Sequence, residues 1–199
     1  MAHSLILASR SEIRATLLAN AGLVAEQMPA LVDEDTIKAA MLSDGAKPRD
    51  IADALAEHKA RRISAKHPEA LVLGCDQVAD LMGRLLSKPA NEAEARQQLR
   101  DLSGRTHKLL SAAVICHAGR PVWRHIGVVC LAMRKLSDRY VDDYVKRNWA
   151  RIRHTVGAYR LEEEGVRLFS RIEGDYFSVL GLPLTELLTY LIDRGEIAI

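Results

Sequence analysis

Apolar and polar positions alternate along the chain in a way that predicts strand–helix units followed by a hairpin. Leu5-Ile6-Leu7-Ala8 is a short apolar run of the kind a buried strand makes. Ser9-Arg10-Ser11 follows, then a helix from about Glu12 to Ala21, with Ser11 as N-cap and Gly22 as its stop. A second helix is expected from Pro48, a favourable first-turn residue, to about Lys66. Leu71 to Val78 reads as a second buried strand, and Asn91 to Leu102 as a helix capped by Asn91 and closed by Ser103-Gly104. Thr106 to Cys116 and Val122 to Met133 are apolar and β-branched, and the break His117-Ala118-Gly119-Arg120-Pro121 makes them a long hairpin. Ser137 caps another helix to about Arg147, Gly165 to Ile172 reads as a strand, and Pro183 opens a last helix ending near Asp193. Leu42 to Pro48 is the nearest thing to a linker. This order predicts one α/β domain over residues 1–199, a mixed β-sheet with flanking helices.

Composition narrows the partners. The 28 basic and 26 acidic side chains nearly balance, so no broad basic face marks a nucleic-acid partner. Any phosphate binding must rest on a few placed cations. No apolar run approaches the roughly 20 residues that span a bilayer, and the N-terminus lacks the cationic leader of a signal peptide. Cys75, Cys116 and Cys130 fit neither a disulfide framework nor a zinc site; they read as reduced thiols in a cytoplasmic protein.

Three charged residues fall where a plain fold would not put them. On the first helix Arg14 shares the sector of Leu17, Leu18 and Ala21, where it either snorkels at the helix edge or meets an anion. On the second, Lys59 interrupts the stripe Ile51, Leu55, Ile63, with the same two readings. Asp76 ends the run Leu71-Val72-Leu73-Gly74-Cys75; a carboxylate at the carboxyl end of a buried strand lies where α/β sheets bind ligands, unless it is a solvated turn residue. Gly74 leaves room there for close approach. Ser87-Lys88-Pro89 adds a lysine before a rigid proline. Together Ser9, Ser11, Arg14, Lys59 and Lys88 supply hydroxyl and cationic donors, Glu34 and Asp76 supply carboxylates, and Ser11 sets a helix N-terminus beside the first strand. That inventory suits metal-assisted phosphoanhydride hydrolysis, although no P-loop is present.

In order, Leu5 through Arg14, Val32-Asp33-Glu34, Lys59-Ala60, Gly74 through Val78, Lys88-Pro89, Leu102 through His107, Gly157-Ala158-Tyr159, Ile172 through Tyr176 and Val179 through Leu184 resemble the Maf nucleotide pyrophosphatases. The resemblance implies a two-lobed, Maf/ITPase-like fold around a central cleft, commonly as a homodimer. It implies cleavage between the α and β phosphates of a nucleoside triphosphate with Mg²⁺ or Mn²⁺. Asp76 is then the general base, Ser9, Arg14, Lys59 and Lys88 the polyphosphate grip, and Glu34 a metal-side carboxylate with Asp76. Ser87 departs from the family, which usually has glycine there.

Three positions resemble those that divide the family by base: Ile13, Gln77 and Glu162. Gln77 and Glu162 side with the branch acting on 7-methyl-GTP, whereas Ile13 replaces its stacking tryptophan. Glu162 could accept the guanine N1 and N2 hydrogens and favour a methylated, cationic ring. The run Glu162-Glu163-Glu164 leaves the register open by one, and leaves open an acidic turn facing solvent. A second functional reading is a nucleotide-binding regulator of septum formation without turnover, against which Asp76, Glu34, Lys59 and Lys88 all argue.

Overall fold

Among the described residues seven strands form one sheet, and their order determines where a ligand can enter. The computed structural model describes residues 3–198. β1 (Leu5–Leu7), α1 (Glu12–Asn20), β2 (Ala25–Gln27), α2 (Glu34–Ser43) and α3 (Pro48–Ser64) come first. β3 (Leu71–Leu81), β4 (Arg84–Leu86), α4 (Glu92–Leu102), β5 (Thr106–His117), β6 (Arg120–Met133) and α5 (Asp138–Ile152) follow. β7 (Phe169–Glu173), α6 (Tyr176–Val179) and α7 (Leu184–Asp193) complete the chain. The sheet runs β2-β1-β3-β5-β6-β7, with β4 also on β3. β1 pairs parallel with β2 and β3; every other pairing is antiparallel. This is the expected mixed α/β architecture.

The predicted caps are present. Ser11 Oγ accepts from the Arg14 amide at 3.4 Å, Asn91 Oδ1 from Glu94 at 2.9 Å and Ser137 Oγ from Tyr140 at 3.3 Å. Other elements differ from the sequence reading for identifiable reasons. β2 is a short, exposed edge, and α2 buries none of its residues, so neither leaves an apolar period to detect. The expected linker shrinks accordingly, since α2 runs to Ser43 and α3 starts at Pro48. The hairpin turn is two residues: Ala118 and Gly119 both take positive φ, which suits the twist of paired strands, so β6 begins at Arg120. α5 continues beyond Arg147 to Ile152. The strand expected from Gly165 starts only at Phe169, after a 3₁₀ turn over Glu164–Leu168. Gly165 there lies against the backbone of Arg160, where a Cβ would sit 2.3 Å from the Arg160 carbonyl oxygen.

Alternation along β3 and β5 sorts the core. On one face, Leu71, Leu73, Cys75, Ala113 and Ile115 pack under α1 and α7, while Ala79, Leu81 and Leu109 pack under α4 and α5. On the other, Val72, Val78, Ala112 and Val114 meet Ala52, Ala56 and Ala60 of α3. The long strands thus carry two lobes.

β1 and β4 share one edge of β3 without meeting. β1 pairs only as far as Leu73, and β4 begins pairing at Ala79. Between them the edge of β3 is open, and Asp76 lies in the gap. Asp76 is therefore not at the end of its strand, as its place after an apolar run suggested, but at the middle of an eleven-residue one. Nor does Gly74 make room for a ligand. A Cβ there would sit 2.1 Å from the Ala56 carbonyl oxygen and 2.7 Å from the Ala60 amide nitrogen, so Gly74 admits the backbone of α3. We predict that Gly74→Ala pushes α3 from the sheet and costs about 3 kcal/mol by overpacking. A urea midpoint equal to wild type would show that the helix tolerates the methyl group.

Candidate active site

Close contact between α3 and Gly74 aims Lys59 along the sheet toward Asp76. Lys59 Nζ lies 2.7 Å from Asp76 Oδ1 and 2.8 Å from Glu34 Oε1. Glu34 reaches this point because Asp33 caps α2, accepting from the Thr36 amide at 3.1 Å and its hydroxyl at 2.8 Å, which sets Glu34 in the first turn. Lys59 therefore neither snorkels to water nor sits unpaired: two carboxylates share it.

The three groups settle each other's protonation. Burial alone would lower the Lys59 pKa, but Asp76 and then Glu34 more than offset it, and Lys59 is raised; it stays an ammonium. Burial pushes Glu34 up, but Lys59, aided by Lys38 and Lys88, brings it below its ordinary value. Asp76, the most deeply buried, is raised by desolvation, which Lys59 offsets only in part. A carboxylate made more basic, beside a fixed cation, is suited to accept a proton.

Among the described residues Arg14 meets no carboxylate. Its Nε donates to the Gly181 carbonyl at 2.8 Å, and Nη1 donates to Ser9 Oγ at 3.2 Å and to the Cys75 carbonyl at 3.3 Å. Cys75 lies in the open edge of β3, so Arg14 caps a carbonyl that β1 leaves free. Gly181, at φ 91°, has no Cβ to strike the guanidinium. The charge of Arg14 is oriented but not cancelled, as an anion site requires. Ser9 Oγ also accepts from the Ser11 amide at 3.2 Å, which leaves its proton to donate.

These residues line a cleft of about 1030 Å³ astride the open edge. Ser9, Arg14, Glu34, Lys59 and Asp76 line it, as does Lys88, exposed on the loop between β4 and α4, whose charge helps to lower the Glu34 pKa. Ile13, Gln77 and Glu162 line the cleft too. All the candidate residues are thus brought together. Gln77 points to the opposite face of β3 from Asp76, and its amide nitrogen donates to the Val179 carbonyl at 3.0 Å, the Ser178 carbonyl at 3.2 Å and Ser111 Oγ at 2.9 Å. Its amino end is committed to holding α6. Glu162 is the glutamate of its run that lines the cleft; Glu164 turns away to Arg147 at 2.7 Å and Asn148 at 2.9 Å. Ile13 and Glu162 also border a second, apolar cavity of about 540 Å³ with Tyr176, Phe177 and Leu180.

Lys38, Arg151 and Arg160 also line the cleft, and no sequence reading had singled them out. Lys38 Nζ stands 3.6 Å from Glu34 Oε2, an i,i+4 pair that would have been legible had α2 been recognised.

A match to the Maf-like protein family extends over residues 4–194. The chain belongs to the Maf family. Among Maf relatives, it is 62% identical over 197 residues to a nucleoside triphosphate pyrophosphatase of Roseobacter denitrificans, covering 99% of each chain. It is 61% identical to one of Ruegeria pomeroyi, again over 99% of both. A 7-methyl-GTP pyrophosphatase of Rhizobium etli is 46% identical over 99% of both.

Two motifs that carried the Maf resemblance meet away from the charged centre. His107 and Tyr159 are buried, with His107 Nε2 2.6 Å from the Tyr159 hydroxyl and His107 Nδ1 without a partner among the described residues. Gly157, at φ 77°, lets the chain turn tightly under the Tyr159 ring. Burial pushes His107 down to about 4 from its ordinary 6.5, so it is neutral at pH 7. The unfolded chain takes up this proton first, so folding stability falls as pH drops from 6.5 to about 4. We predict that the loss attributable to His107 is on the order of 3 kcal/mol. The variant His107→Gln should show a correspondingly shallower acid limb in urea titrations; equal limbs would assign the effect elsewhere.

Proposed function

We propose that this chain hydrolyses nucleoside triphosphates at the α–β phosphoanhydride, yielding monophosphate and pyrophosphate. The observation that carries this reading is an oriented, uncancelled Arg14 next to a buried Asp76 whose basicity is raised, in a cleft large enough for a nucleotide. The names of the Roseobacter and Ruegeria relatives support it.

The residues assign themselves to steps. Ser9 donates to a phosphate oxygen, and Arg14 and Lys88 bind the polyphosphate. The N-terminus of α1 adds its partial positive charge. Lys59 remains protonated and so contributes charge, not a base. Asp76 orients a water and takes its proton as the water oxygen attacks phosphorus. Pyrophosphate departs with its negative charge spread over the cations that already hold it.

Glu34 and Asp76 fit a divalent cation such as Mg²⁺ or Mn²⁺. Lys59 takes Asp76 Oδ1 and Glu34 Oε1, which leaves Asp76 Oδ2 and Glu34 Oε2 as the hard oxygen donors an ion would use, and among the described residues no three His, Cys, Asp or Glu side chains form a complete cage. Such an ion typically takes one or two carboxylates and completes its shell with phosphates and water, and when bound it would neutralise phosphate charge.

The finer substrate we propose is a purine triphosphate with a cationic ring, such as 7-methyl-GTP. Glu162 would read the base, Gln77 would hold the wall beneath it, and Ile13 would pack on the ring at the mouth of the apolar cavity. The Rhizobium relative's name is consistent with this substrate. The enzyme is proposed to act in the cytoplasm; among the described residues no helix is long and apolar enough to cross a membrane.

We predict that Asp76→Asn lowers kcat by about 10³-fold while a nonhydrolysable triphosphate still binds. Chromatography of the wild-type products should give monophosphate and pyrophosphate; diphosphate and orthophosphate would overturn the α–β assignment. Because Asp76 must be ionised and its pKa is raised, kcat/KM should fall on acidification at a pH above its ordinary 3.8. Withdrawal of Mg²⁺ and Mn²⁺ by a chelator should abolish pyrophosphate release; unchanged release would remove the metal from the reading.

A further inference from the structure

Arg160 stands between the proposed base-reading carboxylate and the rest of the protein. Its Nε lies 2.8 Å from Glu162 Oε1, and its Nη1 3.1 Å from Glu163 Oε1. The other oxygen of Glu163 is held by Arg151 of α5 at 3.1 Å. Arg151, Glu163, Arg160 and Glu162 thus form a row of alternating charges along the cleft, with Glu162 at its end. The pair at its end is shielded, with the Arg160 and Glu162 side chains 30% and 24% exposed.

The backbone under this row has little freedom. Tyr159 precedes Arg160 and is buried against His107. Gly165 closes the turn against the Arg160 backbone, and the Glu163 amide donates back to the Arg160 carbonyl at 3.3 Å. Only side-chain rotation can change which carboxylate Arg160 holds.

We propose that Arg160 sets the base preference of the cleft by competing with the substrate for Glu162. The inference rests on the reading of Glu162 as the base contact. A guanine edge offers two parallel N–H donors and needs both carboxylate oxygens, but Arg160 occupies one of them. A uracil ring offers one N–H and can use the oxygen that remains. Arg160 also cancels the charge that would favour a cationic ring over a neutral one. When the substrate displaces it, Arg160 keeps Glu163 as a partner, so the exchange strands no charge. Arg160 is a specificity-determining residue that need not touch the substrate.

The test compares kcat/KM for 7-methyl-GTP, GTP and UTP in wild type, Arg160→Met, Arg160→Lys and Glu162→Gln. Arg160→Met keeps the stem and removes the charge. It should raise the 7-methyl-GTP to UTP ratio about fivefold, through KM with kcat nearly unchanged, in keeping with the modest strength of a partly exposed pair. Arg160→Lys keeps the charge and should stay near wild type. Because the readout is a ratio between substrates, partial loss of folded enzyme cancels. If Arg160→Met lowers all three substrates equally, Arg160 only clasps the loop and the proposal is overturned. If Glu162→Gln lowers the ratio while Arg160→Met leaves it unchanged, the base reading stands and the competition does not. If Glu162→Gln leaves the ratio unchanged, Glu162 does not read the base, and the competition falls with that reading.

Discussion

Lys59, buried between Asp76 and Glu34, is the interaction on which the rest of the molecule depends. Taking an ammonium and a carboxylate out of water costs several kcal/mol per ion, repaid only when geometry is good and every charge is matched. That demand reaches far into the fold. α3 must lie close enough to β3 for the lysine stem to run along the sheet, so a glycine faces Ala56 and Ala60. α2 must start at the cleft, so Asp33 caps it there. β1 must leave β3 after Leu73, or Asp76 would be roofed by a neighbouring strand.

The same demand explains the division of labour among the cations. Lys59 is matched by carboxylates and is therefore part of the protein's own charge balance. Arg14 is satisfied by carbonyl oxygens and a hydroxyl, which accept its hydrogens without neutralising it. Of these two cations, one is thus engaged by carboxylates and the other keeps its charge uncancelled. Asp76 gains basicity from burial, and Lys59 offsets part of that rise.

Much of this was legible in the sequence because charges on apolar stripes are rare enough to notice. Arg14 beside Leu17 and Leu18, and Lys59 between Leu55 and Ile63, were visible from helical spacing alone, and the family resemblance supplied a common purpose. The caps at Ser11, Asn91 and Ser137 were equally readable, since a short polar side chain before an apolar period has a local meaning. What was not legible was non-local. The apolar run around Asp76 has the same pattern whether its edge is paired or open, and only the termination of β1 and the onset of β4 decide between them. Gly74 seemed to serve a ligand because nothing in its neighbourhood along the chain reveals a helix overhead. α2 escaped notice because it buries nothing, and with it went Lys38. Which glutamate of the run lines the cleft depends on the turn at Gly165, which sends Glu164 toward α5.

The open edge of β3 also bears on how the molecule holds together. The chain does not pass between its lobes through a flexible connector. β3 and β5 run along the cleft and β6 lies beside β5, each with one half packed against α1, α3 and α7 and the other against α4 and α5. Each strand is therefore a structural member of both lobes. Melting either lobe would strip one end of the shared strands of its packing and fray the ladder on which the other relies, so the two behave as one cooperative unit. The open gap, which interrupts the sheet along only one edge, leaves that continuity intact.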